Sequence, residues 1–173
     1  MSMREAGSDA FTVRAARPED AAAIMSVHQA SVRGLCAAFY SDEQIDAWVG
    51  HKTPDDYVRS VGAGERMWVA WHGPQALGFA AQKGDEIRAV YVHPDGGGRG
   101  IGRRLLRAAE KAAWDDGQRS VHLDASLNAV PFYERMGYRG GPIAPHRLQN
   151  GTLIPSMPMS KDLGSDRSIE RKT

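Results

Sequence analysis

What the chain lacks narrows its chemistry before any motif is read. It has one cysteine, Cys36, so no internal disulfide can form and a reducing, cytoplasmic setting is expected. Cys36 itself reads as a small buried apolar residue. The histidines at 28, 51, 72, 93, 122 and 146 show no paired spacing of the kind zinc sites use, and no metal is expected. No apolar run reaches membrane-spanning length, and the first residues lack the apolar core of a signal peptide. Charge of one sign is missing too. The 22 Lys and Arg against 21 Asp and Glu leave +1, which offers neither nucleic acid nor a membrane surface a reason to bind. There is no internal repeat. With 42% hydrophobic and 25% charged residues over 173 positions, the chain has enough apolar material for one globular domain with a core of its own.

Residues 1–10 are polar and read as a flexible N-terminus, residues 11–163 as the single domain, and the charged residues 164–173 as a disordered tail. Phe11, Thr12, Val13 and Arg14 suggest a short strand. Pro18 followed by Glu19 and Asp20 opens a helix, because proline suits the first turn and acids suit its dipole. Ser41 and Gln44 form a capping box for the next helix, and Pro54, Asp55 and Asp56 open a third. The texture then changes to a three-strand meander over residues 67–71, 77–82 and 86–92, turning at Gly73-Pro74 and Gly84-Asp85. A long helix is expected over residues 100–116. Ile101, Leu105, Ala108, Ala109 and Ala112 share one face, while Arg103, Arg104, Arg107, Glu110 and Lys111 fall elsewhere. A strand at 120–125, a short helix at 129–136, a strand from Tyr138, a loop over 140–149 and a last edge strand at 154–161, broken by two prolines, complete the order. This is an α/β or α+β sheet protein in which a helix crosses from the fourth strand to the fifth.

The stretch that organises the rest runs over residues 86–106. A strand rich in Ile87, Val90, Tyr91 and Val92 stops at His93-Pro94, and five glycines follow between Gly96 and Gly102 before the long helix begins. Glycine lets backbone come close to a ligand. The first amides of a helix lack internal partners and lie at its positive end, so the turn reads as an anion site, usually for phosphate. The pattern of nucleotide triphosphatases fails, because Arg103-Arg104 stands where a lysine and a hydroxyl are required. The dinucleotide pattern fails as well, because Arg103 stands where the third glycine belongs.

A third pattern fits. Val92-His93-Pro94-Asp95 leading into Gly97-Gly98-Arg99-Gly100-Ile101-Gly102 resembles motif A of the GNAT superfamily of N-acetyltransferases, (Q/R)-x-x-G-x-(G/A). Gly97 replaces the usual glutamine or arginine, which removes one side-chain contact and leaves the amide cradle. Ala129, Tyr133, Gly137 and Tyr138 match the family's motif B, whose asparagine is absent from its usual place; Ser126 stands there and Asn128 is two residues late. The resemblance implies a mixed, mostly antiparallel sheet of about six or seven strands flanked by about four or five helices. It implies acetyl-CoA as co-substrate, with its pyrophosphate on Gly97, Gly98, Arg99, Gly100, Ile101 and Gly102 and on Arg103. It also implies that the pantetheine arm pairs with the main chain of Val90, Tyr91 and Val92 and meets Asn128. Tyr133 would be the general acid on the sulfur and Glu86 the general base, with Asp124 a weaker candidate. Among Arg99, Arg103, Arg104 and Arg107, one or two would meet phosphates.

The activity implied is transfer of an acetyl group to a primary amine by direct attack. A non-catalytic acyl-CoA-binding regulatory module and a peptide or protein N-terminal acetyltransferase are the alternatives, and the acceptor is a small-molecule amine or a peptide. Tyr40, Trp48, Tyr57 and Trp68, with Asp42, Glu43, Asp46, Asp55 and Asp56, are placed to line the acceptor pocket. Many family members pair as homodimers; no stretch here selects monomer or dimer.

Overall fold

A computed structural model describes residues 10–166. Eight strands and five α-helices follow in the order β1 (Thr12–Ala15), α1 (Ala21–Leu35), α2 (Asp42–Val49), α3 (Pro54–Gly62), β2 (Arg66–His72), β3 (Gln75–Lys83), β4 (Glu86–Val92), α4 (Ile101–Asp115), β5 (Ser120–Ala125), α5 (Val130–Arg135), β6 (Arg139–Gly140), β7 (Ala144–Arg147) and β8 (Leu153–Asp162). The sheet runs β1-β2-β3-β4-β5-β8-β6, with β7 also on β8. All pairings are antiparallel except β4 with β5, which α4 connects as a crossover.

Two cores lie on opposite faces of the sheet. On one, α4 buries Ile101, Leu105, Leu106, Ala109 and Ala113 against Ala80, Val121 and Leu123. Gly78 of β3 lets the helix come close: a Cβ there would lie 2.8 Å from Leu105 Cδ1 and 3.0 Å from Ile101 Cγ2. On the other face, Ile24 and Val27 of α1 and Tyr57 of α3 pack on Val69, Phe79 and Ala81. No helix among the described residues is long and apolar enough to cross a membrane.

The capping box forms as its spacing requires. Gln44 N donates to Ser41 Oγ (3.2 Å) and Ser41 N to Gln44 Oε1 (3.0 Å), which fixes the start of α2. Before α1, Asp20 accepts from Arg14 at 2.6 and 3.0 Å and from the Arg17 amide at 2.7 Å. The Arg14 hydrogen bond holds the Asp20 carboxyl below the usual carboxylate range. A depressed native pKa adds stability above the unfolded value, and that stability is lost as pH falls through the native one. Asp20→Asn should therefore cost about 1.5–3 kcal/mol near pH 7, and the gap to wild type should narrow once pH drops below about 4. Urea unfolding at both pH values checks this; an unchanged gap assigns the loss to something other than the ion pair.

Two expectations change. The stretch 140–149 is not all loop, because β7 pairs with β8 through Ala144↔Ser156 to Arg147↔Leu153. The last strand is neither broken nor an edge; β8 lies between β5 and β6/β7. Its prolines are tolerated because their missing N–H groups fall where no ladder bond is needed. Pro155 faces Pro145. Pro158 turns its carbonyl to Gly141 N (2.8 Å), so its nitrogen points into the gap between β6 and β7 and away from β5. Beside the apolar stripe of α4, Glu110 is fully buried. It accepts from Lys161 Nζ (3.1 Å) and Tyr138 Oη (2.9 Å). At the C-terminal side, Leu163–Ser165 forms a 3-10 turn and Asp166 accepts from Lys161 at 2.8 Å. The rest of the expected tail, and the N-terminus before residue 10, lie outside the described residues.

Candidate active site

The glycine turn joins β4 to α4. His93 Nδ1 accepts from the Asp95 amide at 3.1 Å, and the Gly96 amide closes a tight turn on His93 O at 2.8 Å. Gly97 N reaches Pro94 O at 3.5 Å, and the next bond along the chain is Arg104 N to Gly100 O at 3.1 Å. Between them, the amides of Gly98, Arg99, Gly100, Ile101, Gly102 and Arg103 have no backbone acceptor among the described residues. Gly98 and Gly100 both take φ +76, with open space where a Cβ would stand. Left-handed residues alternating with ordinary ones curl successive N–H groups toward one point, and a helix N-terminus adds its positive end there. Six amides without a protein acceptor at a helix N-terminus suit a diphosphate.

Next to the turn, the sheet splits. Register between β3 and β4 shifts at Ala81/Gln82, which face Ala89 and Ile87, so Arg88 is the extra residue of a β-bulge. A bulge bends and twists its strand. Accordingly β4 meets β5 at a single register position, Glu86↔His122, while β5 stays paired with β8 along its whole length. Beyond that position β4 presents an open edge. His93 N donates to Leu77 O (2.8 Å) opposite it, and antiparallel pairs alternate. Tyr91 therefore spends its main-chain groups on Phe79, whereas Val90 and Val92 turn theirs into the wedge.

Tyr133 of α5 belongs to the same core cluster that Val90 and Val92 pack against. It is 6% exposed, edge-on to Phe132 and Tyr138 at 5.1 and 5.5 Å. Phe132 in turn lies 3.3 Å from where a Gly102 Cβ would be, beside Val92. Turn, strand end and tyrosine thus form one assembly. Burial pushes the Tyr133 phenol up, and Tyr133 is close enough to Tyr91 to help push that buried phenol up as well, after burial itself and Cys36. The hydroxyl of Tyr133 makes no hydrogen bond with another described residue, so its proton is free for a ligand.

Over the wedge, on the α1 face, lies a cavity of about 250 Å³. Glu86 lines it, 37% exposed, with Arg88 Nη1 3.8 Å from its carboxylate; Arg88 also holds Glu65 at 3.0 Å. Asp124 and His146 face the same space, paired at 3.2 Å between Oδ2 and Nδ1. Nothing local in the sequence announces this pair, because His146 sits on β7, where the residues by themselves suggest a loop. The floor is aromatic, with His28, Phe79 and Tyr91, and Tyr57 bonded to His28.

Other expected residues are placed differently. Tyr40, Trp48, Tyr57 and Asp56 do line the cavity. Trp68 packs on the opposite, α4 core, since alternation along β2 turns it away. Asp46 pairs with Arg33 at 2.8 Å, and Asp42, Glu43 and Asp55 sit exposed in first helical turns. Arg104 is occupied elsewhere, donating to Phe11 O (3.0 Å) and lying over the Phe11 ring. Arg99 is exposed in the turn. Arg103 and Arg107 line a groove of about 630 Å³ together with Arg135 and Lys161. Asn128 accepts from Cys36 Sγ at 3.3 Å, which engages its oxygen and leaves its amide donors, while Ser126 lines the cavity. Cys36 is 2% exposed, and burial pushes its thiol up to about 11, so it behaves as a core residue. No group of three or more His, Cys, Asp or Glu among the described residues could hold a metal ion.

Known proteins share this fold. The Rhodopseudomonas palustris protein described as a GCN5-related N-acetyltransferase, aminotransferase class-II, superposes with a TM-score of 0.81 at 34% identity, covering 88% of this chain and 95% of that one. The PaiA N-acetyltransferase of Thermoplasma acidophilum in complex with coenzyme A superposes at 0.68 with 21% identity, covering 88% and 99%, and shows the shared fold. In sequence, the uncharacterised N-acetyltransferase YafP of Escherichia coli is 27% identical over 127 residues, 73% of this chain and 80% of that one. The family model for the acetyltransferase (GNAT) domain matches residues 36–163. That span runs from the end of α1 through β8 and includes the glycine turn, the split between β4 and β5, and Tyr133, so the chain belongs to the GNAT acetyltransferase family.

Proposed function

We propose that this acyltransferase moves the acetyl group of acetyl-CoA directly to a small primary amine. The observation that carries the reading is the run of six unsatisfied amides, Gly98 to Arg103, placed beside the open edge of β4. A diphosphate on the turn, with Gly97 and Gly102 at its ends, leaves an extended arm lying along that edge, where the N–H and C=O of Val90 and Val92 replace the ladder that β5 no longer supplies. The Tyr91 side chain floors the acceptor cavity, and the amide donors of Asn128 are free to meet the arm from the other side. PaiA, which shares the fold, holds coenzyme A. Arg103, Arg107 and Arg135 line the adjoining groove and favour further phosphate charge.

Acetyl-CoA supplies an activated thioester; the chain supplies position, charge and proton control. The Val92 amide polarises the carbonyl oxygen. Glu86, beside Arg88, attracts the ammonium and takes its proton through water, with the Asp124–His146 pair on the opposite wall able to serve the same step. Tyr133 donates to the leaving sulfur. Because burial makes its phenolate costly, a strong hydrogen bond suits it better than full ionisation.

The turn can be tested apart from the chemistry. In Gly100→Val a β-branched residue must hold φ +76, at a strain of about 1–2 kcal/mol, and the amides re-aim to relieve it. Affinity for acetyl-CoA, by calorimetry, should fall on the order of tenfold or more while thermal stability stays near wild type. Unchanged affinity would remove the turn from the site.

A further inference from the structure

The acceptor cavity contains one polar atom that nothing in the fold explains. His28 is 8% exposed, and its Nδ1 lies 2.9 Å from Tyr57 Oη. Its Nε2 is buried and has no hydrogen-bond partner among the described residues. Buried polar atoms are nearly always satisfied, and an exception calls for a reason. The ring is packed by aromatic rings, Tyr91 at 4.3 Å, Phe79 at 5.6 Å and Tyr57 at 6.1 Å between centroids, and Lys52 is close enough to act on it electrostatically. A group on a ligand that enters the cavity can supply that partner.

We propose that the acceptor is a small primary amine with an apolar body and a hydroxyl group that reaches the cavity floor and hydrogen-bonds to His28 Nε2. This rests on the acetyl-transfer reading and names the substrate class of that site. The choice of a hydroxyl follows from the Tyr57 contact. If Tyr57 donates to Nδ1, Nε2 carries hydrogen and is a donor; if Tyr57 accepts, Nε2 is an acceptor. A carbonyl or carboxylate satisfies only the first state and an ammonium only the second, whereas a hydroxyl satisfies both. The aromatic floor suits an apolar, preferably flat body. The half-exposed carboxylate of Glu86, nearer the mouth, suits the ammonium end. His28 is a specificity residue and not the base: burial pushes it down to about 3, so it stays neutral and holds its ligand without taking a proton.

The test compares CoA release from acetyl-CoA with two pairs of amines, 4-hydroxyphenethylamine against phenethylamine and 5-aminopentan-1-ol against pentylamine. The hydroxylated member should show kcat/KM larger by on the order of 10–100-fold in the better-accepted pair. His28→Gln, whose amide also offers donor and acceptor, should keep part of the preference. His28→Phe should abolish it, with acetyl-CoA affinity by calorimetry unchanged. Equal kcat/KM within both pairs, or a preference that survives in His28→Phe, overturns the proposal and leaves acetyl transfer standing. The proposal also falls if acetyl-CoA binds and none of the four amines releases CoA. Failure of acetyl-CoA to bind at all overturns the underlying reading instead. Should His28→Phe not fold, the amine pairs and His28→Gln still decide.

Discussion

Tyr133→Phe should lower kcat by about 10²–10⁴-fold, the range for losing a positioned proton donor, and leave acetyl-CoA affinity near wild type. The substitution is close to isosteric in a packed aromatic group, where Phe132 and Tyr138 hold the ring edge-on. No protein partner loses a hydrogen bond, because the hydroxyl has none among the described residues. Stability should therefore stay near wild type. KM for acetyl-CoA should change far less than kcat, because the contact matters most once charge grows on sulfur. Steady-state kinetics with calorimetry separate the two parameters. An undiminished kcat would take Tyr133 out of the reaction and would favour a different proton donor, water included. A chain that binds acetyl-CoA but releases no CoA with any amine would instead be the acyl-CoA-binding module that motif A alone allows.

The second large effect concerns stability. Lys161 and Glu110 form a buried ion pair, with side chains 6% and 0% exposed. Lys161→Met should cost about 3–5 kcal/mol, the usual penalty for stranding one buried charge. Glu110 already has one oxygen unsatisfied, and burial raises its carboxyl even with Lys161 present. Without the lysine it should take up a proton on folding. A native pKa above the unfolded one means that stability is lost as pH rises through the usual carboxylate range, so the deficit should be smaller near pH 4 than near pH 7. Adding Glu110→Leu should restore part of the loss, because the stranded carboxylate goes while Tyr138 Oη and Asp166 lose a partner. Urea midpoints for the two single variants and the double give the coupling directly. A single-variant loss under about 1 kcal/mol would show that water reaches the pair.

The pair also marks where reading along the chain stops being informative. The period of α4 is correct at Ile101, Leu105 and Ala109, and those residues are buried as expected. Glu110 lies beside that stripe, and helical periodicity assigns a lone carboxylate there to solvent. Its lysine comes from β8, fifty-one positions later, and no local pattern can announce it. The cavity beside Glu86 behaves likewise. Tyr40, Trp48 and Tyr57 could be expected there from their place in the first helices, but Asp124 with His146 and the orphaned His28 Nε2 required a sheet that brings β5, β7 and α1 together. The two prolines of β8 mislead for the same reason: a missing N–H matters only on the side where a neighbour needs it, and which side that is depends on the pairing.

From the chain alone came the order of the elements, the crossover between β4 and β5 and the glycine turn at α4, and with them the family. These are legible because strand alternation, helical period, caps and glycine turns act between residues a few positions apart, where backbone sterics and local hydrogen bonds decide. Only the tertiary structure decided which side chains line the cavity, that β4 parts from β5 beyond Glu86, and which charges are buried in pairs. Those depend on contacts between residues distant in sequence, and their energies come from desolvation and packing, which exist only once the faces have met.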